Sequence, residues 1–210
     1  MTPRKMLYDT LGPTVVEALK KRHFHAQYCS TAEEAKTAVL ALIEEGKLVA
    51  WGGSQTVDTL KIKEALQEKG QPVLDRNAVP EEEKKNVAKK ALTSDVYLMS
   101  SNAITQDGKL VNMDGRGNRV AALIFGPDKV IVVAGMNKVV ATEEDAVSRV
   151  RNWAAPMNAQ RFQKDTPCCA TGKCADCLSQ GSICGNLVIT RLCKPAGRIH
   201  VILVGEDLGM

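Results

Sequence analysis

Two patterns of hydrophobic and polar positions alternate along the chain. Five segments have the apolar spacing, the capping residues or the terminating glycines of helices. They are residues 13–28, 30–47, 56–70, 80–93 and 142–162. Short apolar runs typical of buried strands lie at 48–51, 95–101, 129–135, 186–192 and 198–205. Because strands alternate with helices, the pattern predicts an α/β fold, a sheet with helices on its faces.

Individual residues mark several boundaries of these elements. Pro13 suits the first turn of the first helix, and Gly46 suits the end of the second. Thr142 begins a capping-box pattern at the start of the last helix, which Pro156 is expected to kink or divide. We find no internal repeat. We therefore expect a single domain over 1–210, with a cysteine-rich segment at 166–185 as an insertion on its edge.

Composition argues against several classes of protein. The 28 basic and 24 acidic residues leave a net charge of only +4, and aromatic residues make up 4% of the chain. No basic block is interleaved with aromatic residues, so nucleic-acid binding is not expected. The N-terminal stretch lacks the apolar run of a signal peptide, and no run approaches the roughly 18 residues of a membrane span. We therefore expect a cytoplasmic protein with no membrane span.

Five of the seven cysteines lie within seventeen positions. In a reducing compartment, clustered cysteines favour metal or redox chemistry over structural disulfides. The central C-x2-C turn lets two sulfurs point toward one centre, and flanking glycines give the backbone freedom to wrap around it. The predicted ligands are Cys168, Cys174, Cys177 and Cys184. Cys169 is the alternative to Cys168, since neighbours on an extended chain point in opposite directions.

The predicted ligand set is compatible with two kinds of centre. Four thiolates satisfy either tetrahedral zinc or an iron–sulfur cluster. We favour a 4Fe–4S cluster, with zinc as the alternative. The two isolated cysteines, Cys29 and Cys193, are expected to be packing residues.

The sequence WGGSQT places Gly52, Gly53 and Ser54 between a predicted strand and a predicted helix. Backbone N–H groups at such a turn bind anions, and glycine lets a ligand approach the backbone. The turn matches neither a Walker A loop nor G-x-G-x-x-G. Glycine there also serves backbone geometry alone, and the local sequence by itself favours that interpretation.

Polar side chains are concentrated in the turns that follow the strand at 95–101. They are Asn102, Thr105, Asp107, Asn112, Asp114, Asn118 and Arg119. Arg119 is suited to holding a carboxylate or phosphate. Asp107 and Asp114 precede glycines, so a turn role is favoured over that of a general base. Lys138 follows the strand at 129–135, where it either adds positive charge to an anion pocket or is solvated at the surface.

Several longer stretches make the chain similar to a known family. They include WGGSQT, SNAITQDGKLVNMDGRGNRVAALIFGPDKVIVVAGMNKV, AAPMNAQR and GRIHVILVGEDLG. Together they closely resemble the LUD-domain family, also called lactate-utilisation proteins, over essentially the whole chain. The cysteine segment resembles the tail of the short stand-alone family form, to which Cys169 is extra. The resemblance implies a three-layer α/β/α sandwich similar to the NagB/RpiA/CoA-transferase fold.

In that fold group, anionic small molecules such as sugar phosphates and acyl-CoA bind at strand-to-helix turns. By position, the resemblance implies a pocket lined by Gly52, Gly53, Ser54, Thr56, Asn102, Thr105, Asp107, Gly117, Asn118, Arg119, Asn137 and Lys138. Asp107 is the candidate catalytic residue. CoA-transferase relatives use a glutamate nucleophile, whereas Gln106 and Asp107 stand in the corresponding neighbourhood here, which argues against a CoA-transferase mechanism.

Family members are linked to the oxidation of lactate to pyruvate, often beside iron–sulfur subunits. The resemblance implies an iron–sulfur redox component that assists oxidation of lactate or a similar 2-hydroxy acid. Its expected partners are a small anionic substrate, iron–sulfur electron-transfer proteins and a second copy of the chain. The alternatives are a sugar-phosphate or CoA-class enzyme or sensor with a structural metal, and a non-catalytic assembly subunit.

Overall fold

The computed structural model describes residues 1–210 and contains two β-sheets. The strands are β1 (His25–Cys29), β2 (Val49–Trp51), β3 (Val73–Leu74), β4 (Val96–Met99), β5 (Ala103–Thr105), β6 (Leu110–Asp114), β7 (Lys129–Gly135), β8 (Val139–Val140), β9 (Asn186–Thr190) and β10 (Ile199–Val204). The larger sheet has six parallel strands in the order β1-β10-β7-β4-β2-β3. The smaller sheet has the order β8-β5-β6-β9, and only β8 and β5 run parallel in it.

Helices surround the larger sheet and flank the smaller one. They are α1 (Pro3–Lys21), α2 (Ala32–Ala41), α3 (Gln55–Thr59), α4 (Ile62–Glu68), α5 (Glu81–Lys90), α6 (Asn118–Phe125), α7 (Glu143–Arg149), α8 (Ala155–Arg161) and α9 (Pro167–Thr171). A π-helical turn, Val150–Ala154, joins α7 to α8. None of the helices combines the length and the apolarity that a membrane crossing requires.

The larger sheet is buried on both faces. In β7, Val130 and Val132 pack with α1 and α6, whereas Ile131 and Val133 pack with α2, α3 and α4. This division arises because successive side chains of a strand point to opposite faces of the sheet. The predicted three-layer α/β/α sandwich is thereby confirmed. Cys29 and Cys193 are buried, as expected of packing residues.

The smaller sheet forms a second layer of packing beside this sandwich. Ala103 and Val111 of its strands pack against Ala146 of α7 and Val150 of the π-helical turn. The cysteine segment (166–185) leaves α8 and leads into β9, the edge strand of the smaller sheet. The segment therefore lies at an edge of the smaller sheet.

Several predicted boundaries were wrong. Helix α1 begins at Pro3, so Pro13 lies inside it. Residues 25–28, predicted to be helical, belong to β1. The predicted helix over 56–70 is two helices, because Lys61 has a left-handed φ of 51° between them. The long helix over 142–162 is interrupted by the π-helical turn, and Pro156 lies in the first turn of α8.

Candidate functional site

The carboxyl ends of β2, β4 and β7 meet at one edge of the larger sheet. From β2 the chain continues to β3 on one side, and from β4 it continues toward β7 on the other. Ligands of open α/β sheets bind at such a point, where neighbouring strands lead in opposite directions. We call this place the crevice. It is lined by 52–56 after β2, 100–102 after β4 and 136–138 after β7.

Lys138 is the central charged group of the crevice. Its side chain is buried, with only 4% of the residue exposed. The ammonium nitrogen donates to Thr56 Oγ1 and to Ser100 Oγ, each at 3.0 Å. No carboxylate lies within ion-pair distance of it. Burial, followed by the charges of Arg149 and Arg119, lowers the pKa of Lys138 from 10.5 to about 7.

Local structure fixes the two hydroxyl partners of Lys138. Ser54 caps α3 by accepting a hydrogen bond from the backbone N–H of Val57 at 3.3 Å, which holds buried Thr56 in the first turn. Ser100 follows β4 directly, so its position is set by the buried strand. The Lys138 ammonium thus lies between two hydroxyl groups, which carry no negative charge to neutralise it.

The segment 207–210 covers the crevice. The backbone N–H of Leu208 donates to Asn137 Oδ1 at 3.1 Å, and Leu208 itself is buried. A Cβ placed on Gly209 would lie 2.6 Å from Thr56 Oγ1 and 3.2 Å from Lys138 Nζ. Glycine, whose φ is +64° here, is therefore the residue that lets this segment approach Lys138 so closely.

Arg119 lies behind the crevice, and protein atoms engage all of its N–H groups. Nη1 and Nη2 donate four hydrogen bonds of 2.7–2.9 Å, while Nε lies 3.2 Å from Asp114 Oδ2. The four acceptors are Ser100 O, Asn112 Oδ1, Asn102 Oδ1 and Met113 O. Arg119 thus joins the loop after β4 to the end of β6, which organises the crevice from behind.

The turn before α6 sets the position of Arg119. Gly117 has a φ of +82°, and its N–H donates to Asp114 Oδ1 at 2.7 Å. Asn118 opens the helix, and burial raises the phenol pKa of Tyr97 to about 12. Gly117 is therefore needed for the turn that directs the Arg119 side chain toward the strand ends.

Arg149 of α7 connects two sides of the crevice. Its Nη1 donates to Asn102 O at 2.6 Å and its Nε donates to Asn137 O at 3.2 Å. Burial lowers the pKa of this guanidinium. Outside it lies a groove of about 540 Å³, lined by Arg4, Tyr8, Asn137, Arg149, Trp153 and Asp207. Arg149 was not predicted from the sequence, because it lies in a helix far along the chain from the glycine turn.

Asp107 and Thr105 lie apart from the crevice groups. They form the β5–β6 turn, where the Thr105 hydroxyl hydrogen-bonds Asp107 and the N–H of Lys109 donates to Thr105 Oγ1 at 2.9 Å. The Asp107 carboxylate also pairs with Arg22 at 2.6 Å. Neither residue contacts Lys138, Thr56 or Ser100. The arrangement is that of the turn role expected for Asp107.

The cysteine segment contacts the same framework from outside. Arg151 of the π-helical turn pairs with Asp176 at 2.8 Å, and Arg151 and Cys174 line the same surface pocket. The backbone of Ile183 packs against Gly115, next to the Asp114 that pairs with Arg119. The segment is therefore attached beside the loop that supports the crevice.

Three of the predicted ligands affect the ionisation of the fourth, Cys184. Burial, followed by the charges of Cys174, Cys168 and Cys177, raises the pKa of the Cys184 thiol. Cys169 is not among these three, and its sulfur accepts from the Thr166 hydroxyl at 3.4 Å. As the side chains stand, no three His, Cys, Asp or Glu residues are close enough to share a metal ion. The donor set is nevertheless of the kind that holds a thiolate-ligated centre, because four cysteines lie on one glycine-containing loop.

Comparisons with known proteins give a family and a fold. The family model of the LUD domain matches residues 13–204. A solved DUF162 family protein from Deinococcus radiodurans superposes with a TM-score of 0.56 at 15% identity, covering 94% of this chain and 98% of that one. Ribose 5-phosphate isomerase A from Methanocaldococcus jannaschii gives a TM-score of 0.35 at 14% identity, covering 64% and 67%. No curated protein matches the chain.

Proposed function

Because the chain belongs to the LUD-domain family and is a lactate-utilisation-type protein, we propose that it is an iron–sulfur redox component assisting the oxidation of lactate or a similar 2-hydroxy acid. The acid binds in the crevice, and the cysteine segment holds a 4Fe–4S cluster. The observation that carries the proposal is the Lys138 ammonium, buried at the carboxyl edge of the sheet without an anionic partner.

A buried cation without a counter-charge is costly in the free protein. A bound carboxylate supplies the missing negative charge, so its binding gains more at Lys138 than at an exposed lysine. The hydroxyls of Thr56 and Ser100, each 3.0 Å from the ammonium, provide further hydrogen-bonding groups for a 2-hydroxy acid. These three residues are the substrate-binding groups of the proposal.

Arg119 and the covering segment 207–210 have different roles. Arg119 has no N–H group left for a ligand, so it positions the strand-end loops and adds positive potential. The covering segment contacts both Thr56 and Lys138, so it moves aside when the acid enters. Access to Lys138 is therefore coupled to the position of Leu208 and Gly209.

The cysteine segment supplies the redox part of the proposal. Cys168, Cys174, Cys177 and Cys184 would hold the cluster, and the charges of the first three raise the pKa of the Cys184 thiol. When bound, such a cluster would supply one-electron transfer between the site and an iron–sulfur partner protein. Zinc at the same thiolates is the structural alternative.

Calorimetric titration of lactate and pyruvate into protein purified without oxygen tests the crevice. We expect saturable binding of at least one acid, and at least tenfold weaker binding by Lys138→Met. Lys164→Met, which removes an exposed lysine elsewhere, is the matched control and should bind like the wild type. No binding by the wild type, or equal binding by Lys138→Met, would overturn the proposed site.

A further inference from the structure

Two arginines converge on the glycine turn without a hydrogen-bond or ion-pair partner in the chain. A Cβ placed on Gly53 would lie 3.6 Å from an Nη atom of Arg76 and 3.9 Å from an Nη atom of Arg161. Neither guanidinium makes a hydrogen bond or an ion pair with another residue. This contrasts with Arg119, whose N–H groups are all engaged by protein atoms.

The fold brings the two side chains together from separate elements. Arg76 opens a 3-10 turn directly after β3, the parallel neighbour of β2, so both strands end beside Gly53. Arg161 is the last residue of α8. Its guanidinium carbon lies 4.4 Å from the centre of the Phe162 ring, a cation–π contact that orients it.

Nearby acids do not neutralise this pair. Asp58 is paired with Lys63 at 2.5 Å, and Glu81 is paired with Lys84 at 2.7 Å. Burial lowers the pKa of Arg161; the attraction of Asp58 opposes this effect, and the smaller repulsion by Arg76 adds to it. Two like charges therefore face the same space, and an anion placed between them relieves their repulsion.

We propose that Gly53, Arg76 and Arg161 form a binding site for a phosphate monoester. Such a group carries a charge of about −1.5 to −2 at pH 7 and three acceptor oxygens, which match two guanidiniums approaching from different directions. The absent side chain of Gly53 leaves room for it. The inference goes beyond the proposed function and does not rest on it, because neither arginine contacts Lys138.

The two sites are nonetheless close. Gly53 precedes Thr56 by three residues, so their Cα atoms are separated by at most about 11 Å. The phosphate site therefore forms the outer part of the crevice that Lys138 closes at its inner end. A ligand that occupies the outer site faces the entrance to the inner one.

Calorimetric titration of inorganic phosphate at constant ionic strength, set with chloride, tests the inference. We expect Arg76→Ala and Arg161→Ala each to weaken phosphate binding at least tenfold. Gly53→Ala should weaken it similarly while keeping both charges, because its methyl group fills the space at an ordinary contact distance of 3.6 Å. Arg191→Ala, which removes one exposed arginine elsewhere, should bind like the wild type.

The outcomes separate this site from the one at Lys138. Retention of phosphate binding by Lys138→Met supports an independent outer site. Tighter binding of glycerol phosphate than of inorganic phosphate identifies an ester, whereas equal binding identifies the free ion as a sufficient ligand. The inference is overturned if the wild type does not bind phosphate, or if both arginine variants bind it unchanged while circular dichroism shows them folded.

Discussion

The ammonium nitrogen of Lys138 lies 3.0 Å from the hydroxyl oxygen of Thr56. The two residues follow β7 and β2, which are separated in the sheet by β4, and Ser100 at the end of β4 is the second partner of the same ammonium. One buried charge thus connects the ends of three strands without being neutralised by any of them. The consequences for stability and for binding are both measurable.

Lys138 should make the protein less stable at low pH than at high pH. Its pKa is 10.5 in the unfolded chain and about 7 in the folded protein. Below pH 7 both states carry the proton and the folded state bears the full cost of burial. Between these values only the unfolded state binds the proton, so the free energy of unfolding rises with pH. The difference between the two pKa values corresponds to a total increase of at most about 5 kcal/mol in the free energy of unfolding.

Urea unfolding of the wild type and Lys138→Met at pH 6 and pH 9 measures this contribution. We expect the variant to gain stability relative to the wild type at pH 6, and to gain less at pH 9. Lys164→Met should show no such dependence. A difference between wild type and Lys138→Met that does not change with pH would mean that Lys138 has an ordinary pKa.

Binding of a 2-hydroxy acid should take up a proton above neutral pH. At pH 8 most Lys138 side chains are neutral in the free protein, whereas a bound carboxylate favours the ammonium. The affinity for the acid is then highest below pH 7 and falls about tenfold per pH unit above pH 7. Calorimetry in buffers of different ionisation enthalpy should detect nearly one proton at pH 8 and almost none at pH 6. Equal heats in all buffers at pH 8 would contradict the assignment.

Arg119 should matter mainly for the folded structure. Arg119→Ala leaves the buried Asp114 carboxylate and four acceptors without their partner, so we expect a loss of about 3–5 kcal/mol in the free energy of unfolding. The exposed neighbour Arg116, replaced by Ala, should change it by less than about 0.5 kcal/mol. An Arg119→Ala protein of unchanged stability that no longer binds the acid would instead show that Arg119 contacts the ligand.

Gly209 should control how deeply Lys138 is buried. Gly209→Ala forces a methyl group to within 2.6 Å of Thr56 Oγ1, so the segment 207–210 must withdraw. We expect the pKa of Lys138 to rise above about 7, followed by NMR titration of the labelled lysine. Gly46→Ala has a similar positive φ but no neighbouring atoms within 4 Å, so it is the matched control. An unchanged pKa in Gly209→Ala would mean that this segment does not set the environment of Lys138.

The sequence predicted the parts of the crevice that follow buried strands. The apolar runs ending near Trp51, Met99 and Gly135 identify β2, β4 and β7, and parallel strands in an α/β sheet bring their carboxyl ends to one edge. The glycine turn and Lys138 follow two of these runs directly. Their meeting is therefore a consequence of a pattern that is visible in the sequence.

Other features depend on tertiary contacts that no local pattern carries. Arg76 and Arg161 come from short elements far apart in the chain, and Gly209 meets Lys138 through a segment without secondary structure. Strand β1 was missed because it is an edge strand in which only Cys29 is buried, so it lacks a continuous apolar run. The π-helical turn was missed because its residues are ones that an ordinary α-helix also contains.

The most direct test of the redox proposal is the iron and acid-labile sulfide content of protein purified without oxygen, with a visible spectrum before and after dithionite. We expect about four iron and four sulfide per chain and an absorbance that dithionite bleaches. The Cys169→Ser variant should retain the cluster. The single variants Cys168→Ser, Cys174→Ser, Cys177→Ser and Cys184→Ser should each lose it. One zinc per chain, or no metal at all, would contradict the iron–sulfur assignment and remove electron transfer from the function of this protein.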